Sequence, residues 1–502
     1  MEIASTNPPS RQMLLRDSMG QLTIIPTNRI SRHLLPPVRI GMTNQVPEPT
    51  RGMVVPAPIR EREEAQQARR DTLRFFPSYT MPLAPYLEGQ DDFGNTALKP
   101  GALIPWTPID AAAQQMKYWS SEAGLRYSLK QTITYVNMTD VMQGDNTLGY
   151  YTLSFQGKWS IYDDPPSGTS GWLSTQVKVK TGIGDNGMTQ SAQRNLGTIT
   201  DPTGLWLSFN GIAVQELAWQ QSFRDGEIVF LGGVLNQANY LDVNSYANSG
   251  RGQFINSALI NSMVMPLPGY LPGVNLQWQF DDEWYAMVGA SAGTAKAGYP
   301  PWSGFSFNSW SAAWELGYMP KNFLGLGPGV YRIQPFVSQV TGVEQASYTV
   351  TIPGTTVTTN VTISTTTNSP LQPGLCFNFQ QQLGERVPVG WYGRFGFGGW
   401  QTTAGASAQI GTGFVTRGPL AYLGLFPSRK YDAAGVGFAW SQPSDGSSTV
   451  YHENEFALEA GYVLQLTPLA KLQPDFQVVW NPAYNPGANR AFVFQLQLDV
   501  AW

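Results

Sequence analysis

The chain is short of charge, thiol and imidazole. Asp, Glu, Lys and Arg together make up 13 % of its 502 residues, against roughly 25 % in an ordinary globular protein. The one cysteine, Cys376, excludes an intramolecular disulfide and a Cys-based zinc site. The two histidines, His33 and His452, stand in no HExxH pattern, and no metal-spaced Asp cluster, G-x-G-x-x-G or Walker loop occurs. No G-x-S-x-G elbow occurs either, and nothing beside His452 specifies a nucleophile. The expectation is therefore no catalytic residue, no metal and no cofactor. A net charge of −4 and a pI near 5.4 give no basic footprint for nucleic acid. No run reaches the roughly 18 apolar residues of a membrane helix. Residues 1–50 hold no apolar core of roughly 7–15 residues, so a signal peptide is not visible.

Hydrocarbon does not replace the missing charge, because apolar content is an ordinary 42 %. The replacements are 52 Gly, 16 Trp, 22 Tyr, 24 Phe and uncharged Ser, Thr, Asn and Gln. Such a mixture suits strands with one apolar face, one neutral polar face and aromatic girdles. A soluble β-sandwich or propeller has a similar composition, so pattern has to decide. The C-terminal segment is the sharpest. Phe492, Phe494, Leu496, Leu498, Val500 and Trp502 alternate with Gln495, Gln497 and Asp499. A strand has period two, so this segment has one greasy side and one wet side. Val274, Leu276, Trp278 and Phe280 alternate in the same way with Asn275, Gln277, Gln279 and Asp281, as do Trp310, Ala312, Trp314, Leu316 and Tyr318 with Ser311, Ala313, Glu315 and Gly317. Phe456, Leu458, Ala460, Tyr462 and Leu464 repeat it, and so do Phe476, Val478 and Trp480. Alternation over such lengths predicts a transmembrane barrel.

About sixteen strands are expected, starting near Ala123, Gly149, Trp172, Gly211, Glu227, Gly273, Glu283, Asn308, Val330, Gly374, Trp391, Ser407, Ala434, Glu453, Pro474 and Ala491. Soft boundaries leave fourteen or eighteen open. Connections after odd strands are long (183–210, 235–272, 292–307, 341–372), and those after the fourth and sixth are tight turns at Phe223–Gly226 and Asp281–Asp282. That parity fits short periplasmic turns and long extracellular loops. The segment 418–433 breaks it. The stretch 349–370 is Thr-rich and uncharged, and is expected to form a protruding hairpin. Residues 1–107 are Arg- and Pro-rich and read as a largely disordered arm, with a short exposed helix over Arg60–Phe75 and a tether's role, contact with the cell wall being the alternative. Residues 108–122 read as a short helix capped by Asp110 and a lead-in, and 123–502 as the barrel. Cys376 is expected on the lumen side, and Trp480 and Trp502 at the membrane interface.

From about Ala123 to Trp502 the chain resembles the carbohydrate-selective porins of Gram-negative outer membranes, the OprB-type family. Ser428-Arg429-Lys430-Tyr431-Asp432-Ala433-Ala434-Gly435-Val436-Gly437 resembles the family's arginine–aspartate turn leading into a Gly-rich strand. The run from Leu472 through Pro474-Asp475-Phe476 to Pro482 resembles its penultimate strand. Gly232 to Asn256, with Asn236, Asn239, Asp242, Tyr246-Ala247-Asn248 and Gln253-Phe254-Ile255-Asn256, resembles a further block, and Trp119 through Leu129 more weakly resembles the approach to the first strand. The arm, the Trp119–Gly124 opening and the Thr-rich insertion depart from the family pattern. The resemblance implies an outer-membrane porin for passive diffusion of sugars and similar small polar solutes, surrounded by outer-membrane lipid. A homo-oligomer is left open. So are two alternatives: a general or weakly charge-selective porin, and a plugged structural or adhesive barrel.

A sugar is neutral and dense in hydroxyls, and a sixteen-strand barrel is wide enough for an aqueous channel. A sugar pore therefore needs an inward loop bearing neutral donors and acceptors that bind weakly. The loop after the fifth strand supplies the contact candidates Asn236, Asn239, Tyr240, Asp242, Asn244, Tyr246, Asn248, Arg251, Gln253 and Asn256. Lys178, Lys180, Glu216, Gln277, Gln279, Arg332 and Arg394 are expected to face the lumen from the wall.

Overall fold

A computed structural model describes residues 12–16, 22–26 and 102–501. Within the last range it omits 105–106, 110–111, 114–115, 117–118, 121–122, 185–190, 205–210, 249–253, 268, 294–304, 308, 340, 352–357, 369–370, 384–388, 399–404, 427–428, 430–431 and 445–452. The Arg60–Phe75 helix, the Asp110 cap, His33, His452, Arg251, Gln253 and Trp502 lie outside the described residues. Two short strands, β1 (Gln12–Arg16) and β2 (Leu22–Pro26), pair antiparallel. They belong to a unit, Met1–Ala68, separate from Arg69–Trp502. The composition of the arm did not call for this hairpin.

Sixteen strands of the second unit close into one antiparallel barrel. The first nine are β3 (Leu125–Met138), β4 (Thr147–Asp164), β5 (Thr169–Gly182), β6 (Gly211–Phe223), β7 (Ile228–Leu235), β8 (Leu271–Gln279), β9 (Trp284–Ala292), β10 (Trp310–Tyr318) and β11 (Gly329–Gln339). A separate hairpin follows, β12 (Thr341–Thr351) with β13 (Thr358–Asn368). It takes in the described part of the Thr-rich stretch, 349–351 and 358–368, and begins before it. The barrel resumes with β14 (Gln372–Gln382), β15 (Val389–Gly398), β16 (Ala406–Arg417), β17 (Ala433–Pro443), β18 (Glu455–Gln465), β19 (Ala470–Trp480) and β20 (Arg490–Ala501). β20 pairs with β3, from Val493↔Met138 to Ala501↔Lys130, and leaves no free edge in the ring.

Burial runs opposite to that of a soluble protein. Trp159, Trp278 and Phe414 are exposed at 50–53 %, whereas Gln477, Gln495 and Gln497 are at 0 %. A soluble fold would reverse this, because it would leave that apolar area in water. A wall facing hydrocarbon requires it. The register then assigns the faces. Thr132, Asp499 and Lys471 share one row across β3, β20 and β19, and every second residue along each strand joins the inner face.

The turns follow local chemistry. Asp281 closes the β8–β9 turn by accepting from the backbone N–H of Glu283 (2.7 Å) and Trp284 (2.8 Å). The β16–β17 connection, long for its end of the barrel, has its own fastening. The Arg429 guanidinium donates to both oxygens of Asp432 (2.9 and 2.7 Å), and Asp432 also accepts from Tyr462 Oη (2.7 Å) and the Gln465 N–H (3.0 Å). The sequence had marked this Arg–Asp pair as a motif, and here it fastens the turn to β18.

Candidate functional site

The connection between β7 and β8 folds into the barrel and reaches from the β5–β6 wall across to the β18–β19 wall. Near its start, Gln237 donates to the carbonyls of Val274 (3.2 Å) and Ala290 (3.1 Å) and to Ser291 Oγ (3.0 Å). Asn239 donates to Gln176 (3.3 Å) and Glu216 (3.3 Å). Further on, Asp242 adopts a φ of +61°, which Asp tolerates better than most residues. This turn lets its backbone and carboxylate face the wall together. Arg394 Nε donates to both Asp242 oxygens at 3.0 Å, Nη2 to the Asp242 carbonyl at 2.8 Å and Nη1 to the Leu259 carbonyl at 2.8 Å. Asn378 donates to Asp242 Oδ1 (2.7 Å), and the Ser262 N–H to Oδ2 (2.7 Å). Both ion-pair side chains are at most 2 % exposed. A pair so far from water holds only if hydrogen bonds support it, and every side-chain nitrogen of Arg394 and both oxygens of Asp242 have a partner.

A second charged cluster adjoins it, with Arg332 in the same row as Asn378 and Arg394. Glu315 accepts from Tyr285 Oη and from Gln334 Nε2 (2.6 Å), and its other neighbour is Arg332 at 3.4 Å. The Asp242 N–H donates to Glu315 at 3.3 Å, joining the two clusters through the loop backbone. Asn244 donates to Asn378 (2.7 Å) and the Phe379 carbonyl (2.9 Å), and the Ser245 N–H to Gln380 (2.8 Å).

The far end of the loop is a short helix, α2 (Ser257–Ile260), capped by Asn256, whose side chain accepts from the Ala258 N–H at 3.0 Å. Glu459 on β18 takes the two N–H groups ahead of it, Ile255 at 2.6 Å and Asn256 at 2.7 Å. Gln409 on β16 donates to the Ala258 carbonyl (2.6 Å) and accepts from the Met263 N–H (2.6 Å). The loop also brings a dry core inside the barrel. Tyr246, Phe254, Leu259 and Val264 pack against Tyr392, Cys376 and Val415 of the wall. Glycine in the wall makes the room, since a Cβ on Gly390 would stand 2.4 Å from the Tyr246 ring. The expectation that water bathes the whole inner face is therefore corrected. Under this loop the lumen wall is dry, because the loop's own apolar side chains displace water there.

The connection between β5 and β6 supplies a second inward loop. It begins with α1 (Ala192–Leu196), ended by Gly197 at φ +73°. Glu455 on β18 receives the N–H groups of Ile199 (2.8 Å), Thr200 (3.2 Å) and Ala483 (3.1 Å). The two loops meet where Asp201 N–H donates to Ser257 Oγ (2.7 Å) and Ser257 N–H to the Asp201 carbonyl (2.9 Å).

The contact candidates fall into two groups. Tyr240, Asp242, Asn244, Tyr246 and Asn256 are buried, at 0–3 % exposure, whereas Asn236, Asn239 and Asn248 are half-buried. Burial and the Glu216 carboxylate push the Tyr240 phenol well above its ordinary value, and burial alone raises Tyr246. Of the wall candidates, Lys180, Glu216, Gln277, Arg332 and Arg394 are buried on the inner face, and Lys178 and Gln279 are half-buried. Glu216 reaches that face at a bulge, where the β5–β6 register shifts between Gln176 and Val177. Sequence reasoning missed the anchors Asn378, Gln409, Glu455 and Glu459 and the whole second loop. The alternation had placed Glu455 and Glu459 on the polar face. A carboxylate there, opposite an inward loop, was the available signal.

Comparison with known proteins agrees with this architecture. The family model "Carbohydrate-selective porin, OprB family" matches residues 169–501. No curated protein matches the chain. Among solved structures, the high-pH form of Pseudomonas putida OprB is 14 % identical, covers 81 % of this chain and 100 % of its own, and superposes with a TM-score of 0.60. Its low-pH form is 13 % identical, covering 79 % and 98 %, with a TM-score of 0.46. An OmpT loop-deletion mutant of Vibrio cholerae is 9 % identical, covering 75 % and 99 %, with a TM-score of 0.43. With a closed sixteen-strand barrel, an apolar outer wall and an inward loop pinned across the lumen, and with the family model spanning most of the barrel, the chain belongs to the carbohydrate-selective porin, OprB family, and is an outer-membrane channel for sugars.

Proposed function

We propose that the β7–β8 loop narrows the passage and that its contact candidates divide by role. Asp242, Asn244, Tyr246 and Asn256 hold the loop, and Tyr240 packs beneath it. Asn236 and Asn248 offer amides to passing sugar hydroxyls, Asn239 fixes the near end of the loop at Glu216, and Arg251 and Gln253 stay contact candidates outside the described residues. Lys178, Lys180, Glu216, Gln277 and Gln279 set a mixed electrostatic background, and Arg332 and Arg394 serve the loop's seat. The carrying observation is the loop's attachment to opposite walls, at Glu216 through Asn239 and at Glu459 through Asn256. Side-chain amides suit this task because each binds a hydroxyl for only about 1 kcal/mol net, weak enough to let solute leave.

The segment before the barrel joins it at one rim. The N–H groups of Leu103 and Ile104 donate to the carbonyls of Gln465 (3.0 Å) and Leu466 (2.7 Å) at the β18–β19 turn. This supports a periplasmic arm that tethers the barrel. The test of the sugar reading is single-channel conductance in planar bilayers with added maltodextrin. The double variant Asn236→Ala/Asn248→Ala, which leaves the Asn239–Glu216 attachment in place, should weaken sugar block about tenfold while the open channel persists. Equal block in both proteins would take these amides out of the sugar path, and a wild-type channel indifferent to maltodextrin would leave a general porin as the better description.

A further inference from the structure

The outer wall carries a groove of about 590 Å³ over β16–β20. One register row crosses it, Phe414↔Val436↔Ala460↔Phe476↔Phe494. Aromatic rings stand at the two ends of the row, with a small floor of Val436 and Ala460 between Phe414 and Phe476. Ala434 and Tyr462 extend that floor towards the short-turn end of the barrel. The inner positions behind the floor are the paired Gly435 and Gly461. The hydroxyl of Tyr462 is already bonded to Asp432. The groove therefore presents mostly hydrocarbon, with Thr416 and Asp475 as the other polar side chains in its lining.

We propose that this groove binds one acyl chain of a phospholipid from the periplasm-side leaflet. The groove is continuous with the exposed Phe414, Phe476 and Phe494 of the lipid-facing wall, so hydrocarbon surrounds it on every side. Fourteen residues line it, whereas a specific protein interface takes about 20–30 residues a side. Its volume suits a chain. It is many times the roughly 10–15 Å³ that one water needs on the same measure, which leaves room for a chain of many methylenes. Attraction within a membrane comes from packing rather than from exclusion of water, and a concave floor between rings gives a chain more packing than a flat wall. The adjoining β16–β17 turn adds exposed Tyr422, Leu423, Leu425 and Phe426 at that rim, held in place by the Arg429–Asp432 clasp. These side chains extend the same apolar surface to the leaflet boundary.

Native mass spectrometry of the full chain, purified in mild detergent from vesicles of phosphatidylethanolamine and phosphatidylglycerol, tests this. The wild type should retain one phospholipid. Ala460→Phe fills the floor and should lower retained occupancy at least tenfold. Ala312→Phe, on the outer face of β10 and remote from the groove, should retain it as the wild type does. Heat-modifiable electrophoretic mobility reports folding, and Ala434→Leu gives a milder filling if Ala460→Phe does not fold. Conductance should be unchanged in every variant. The proposal is overturned if the wild type retains no phospholipid, or if the groove variants hold it equally well. It is also overturned if Ala460→Phe instead dissolves a multimer that the wild type and Ala312→Phe keep, since the groove would then be an interface between copies.

Discussion

Replacing Arg394 by Met should release the inward loop without unfolding the barrel. Methionine keeps much of the aliphatic volume and loses every donor. Four hydrogen bonds of 2.8–3.0 Å disappear. The Leu259 carbonyl is left without that donor in a dry site, at about 1–3 kcal/mol. The Asp242 carboxylate keeps two donors, Asn378 and the Ser262 N–H, so its loss falls near the lower end of the roughly 3–5 kcal/mol for breaking a buried pair. The barrel's hydrogen-bonded ring does not pass through this contact, so the loop is the part that yields. At about 1.4 kcal/mol per tenfold, the seated-to-released ratio should fall by roughly three to four orders of magnitude. Single-channel recording should show higher or fluctuating conductance and loss of sugar block. The double variant Arg394→Met/Asp242→Leu should recover part of the seating, because removing both charges leaves neither unpaired. Conductance and block unchanged in Arg394→Met would refute the claim that this pair holds the constriction.

Two more expectations concern the same loop. Glu459→Gln turns one of the two oxygens that accept the Ile255 and Asn256 N–H groups into an NH2, leaving one buried N–H without its acceptor, which should cost about 1–3 kcal/mol of seating. Hydrogen exchange at Ile255 and Asn256 should then quicken by roughly tenfold or more, and unchanged protection would count against Glu459 as the far anchor. The raised phenols give a pH dependence of definite sign. Because the fold holds Tyr240 and Tyr246 protonated more tightly than the unfolded chain does, their contribution is intact below the ordinary phenol value of 10.0. It is lost as pH rises above that value towards the raised ones. Conductance should be flat to about pH 10 and change above it together with phenolate absorbance. Phenolate formation at pH 10 with no loop response would oppose this.

The strand positions were legible because period two is a local property. Phe494 and Gln495 declare opposite faces within two residues, and membrane and lumen enforce that difference at every strand. All sixteen strands begin within four residues of the expected positions, from Leu125 against Ala123 to Arg490 against Ala491. The loop parity was legible for the same reason, since a tight turn such as Asp281–Asp282 needs only its own Asx geometry. The long 418–432 connection broke the parity in the sequence, and the structure gives its reason in the clasp that binds Arg429 and Asp432 to β18.

The candidate site was half legible. Its loop could be chosen from composition, but not the division of labour within it. Asn239 and Asn244 are chemically alike, yet Asn244 is fully buried against Asn378 while Asn239 is half-buried beside Glu216. Position relative to a wall more than a hundred residues away in sequence sets that difference, and no local pattern carries it. The sequence alone thus determined the barrel, the approximate place of each strand and the face on which its side chains stand, because alternation is fixed by the backbone and by the two solvents it separates, while the closed ring settled the count at sixteen. Only the tertiary structure decided which polar groups hold the loop and which stay near the passage, because closure of the ring brings Arg394, Glu315 and Glu459 round to one folded segment, and partners met across a closed ring leave no trace in their spacing along the chain.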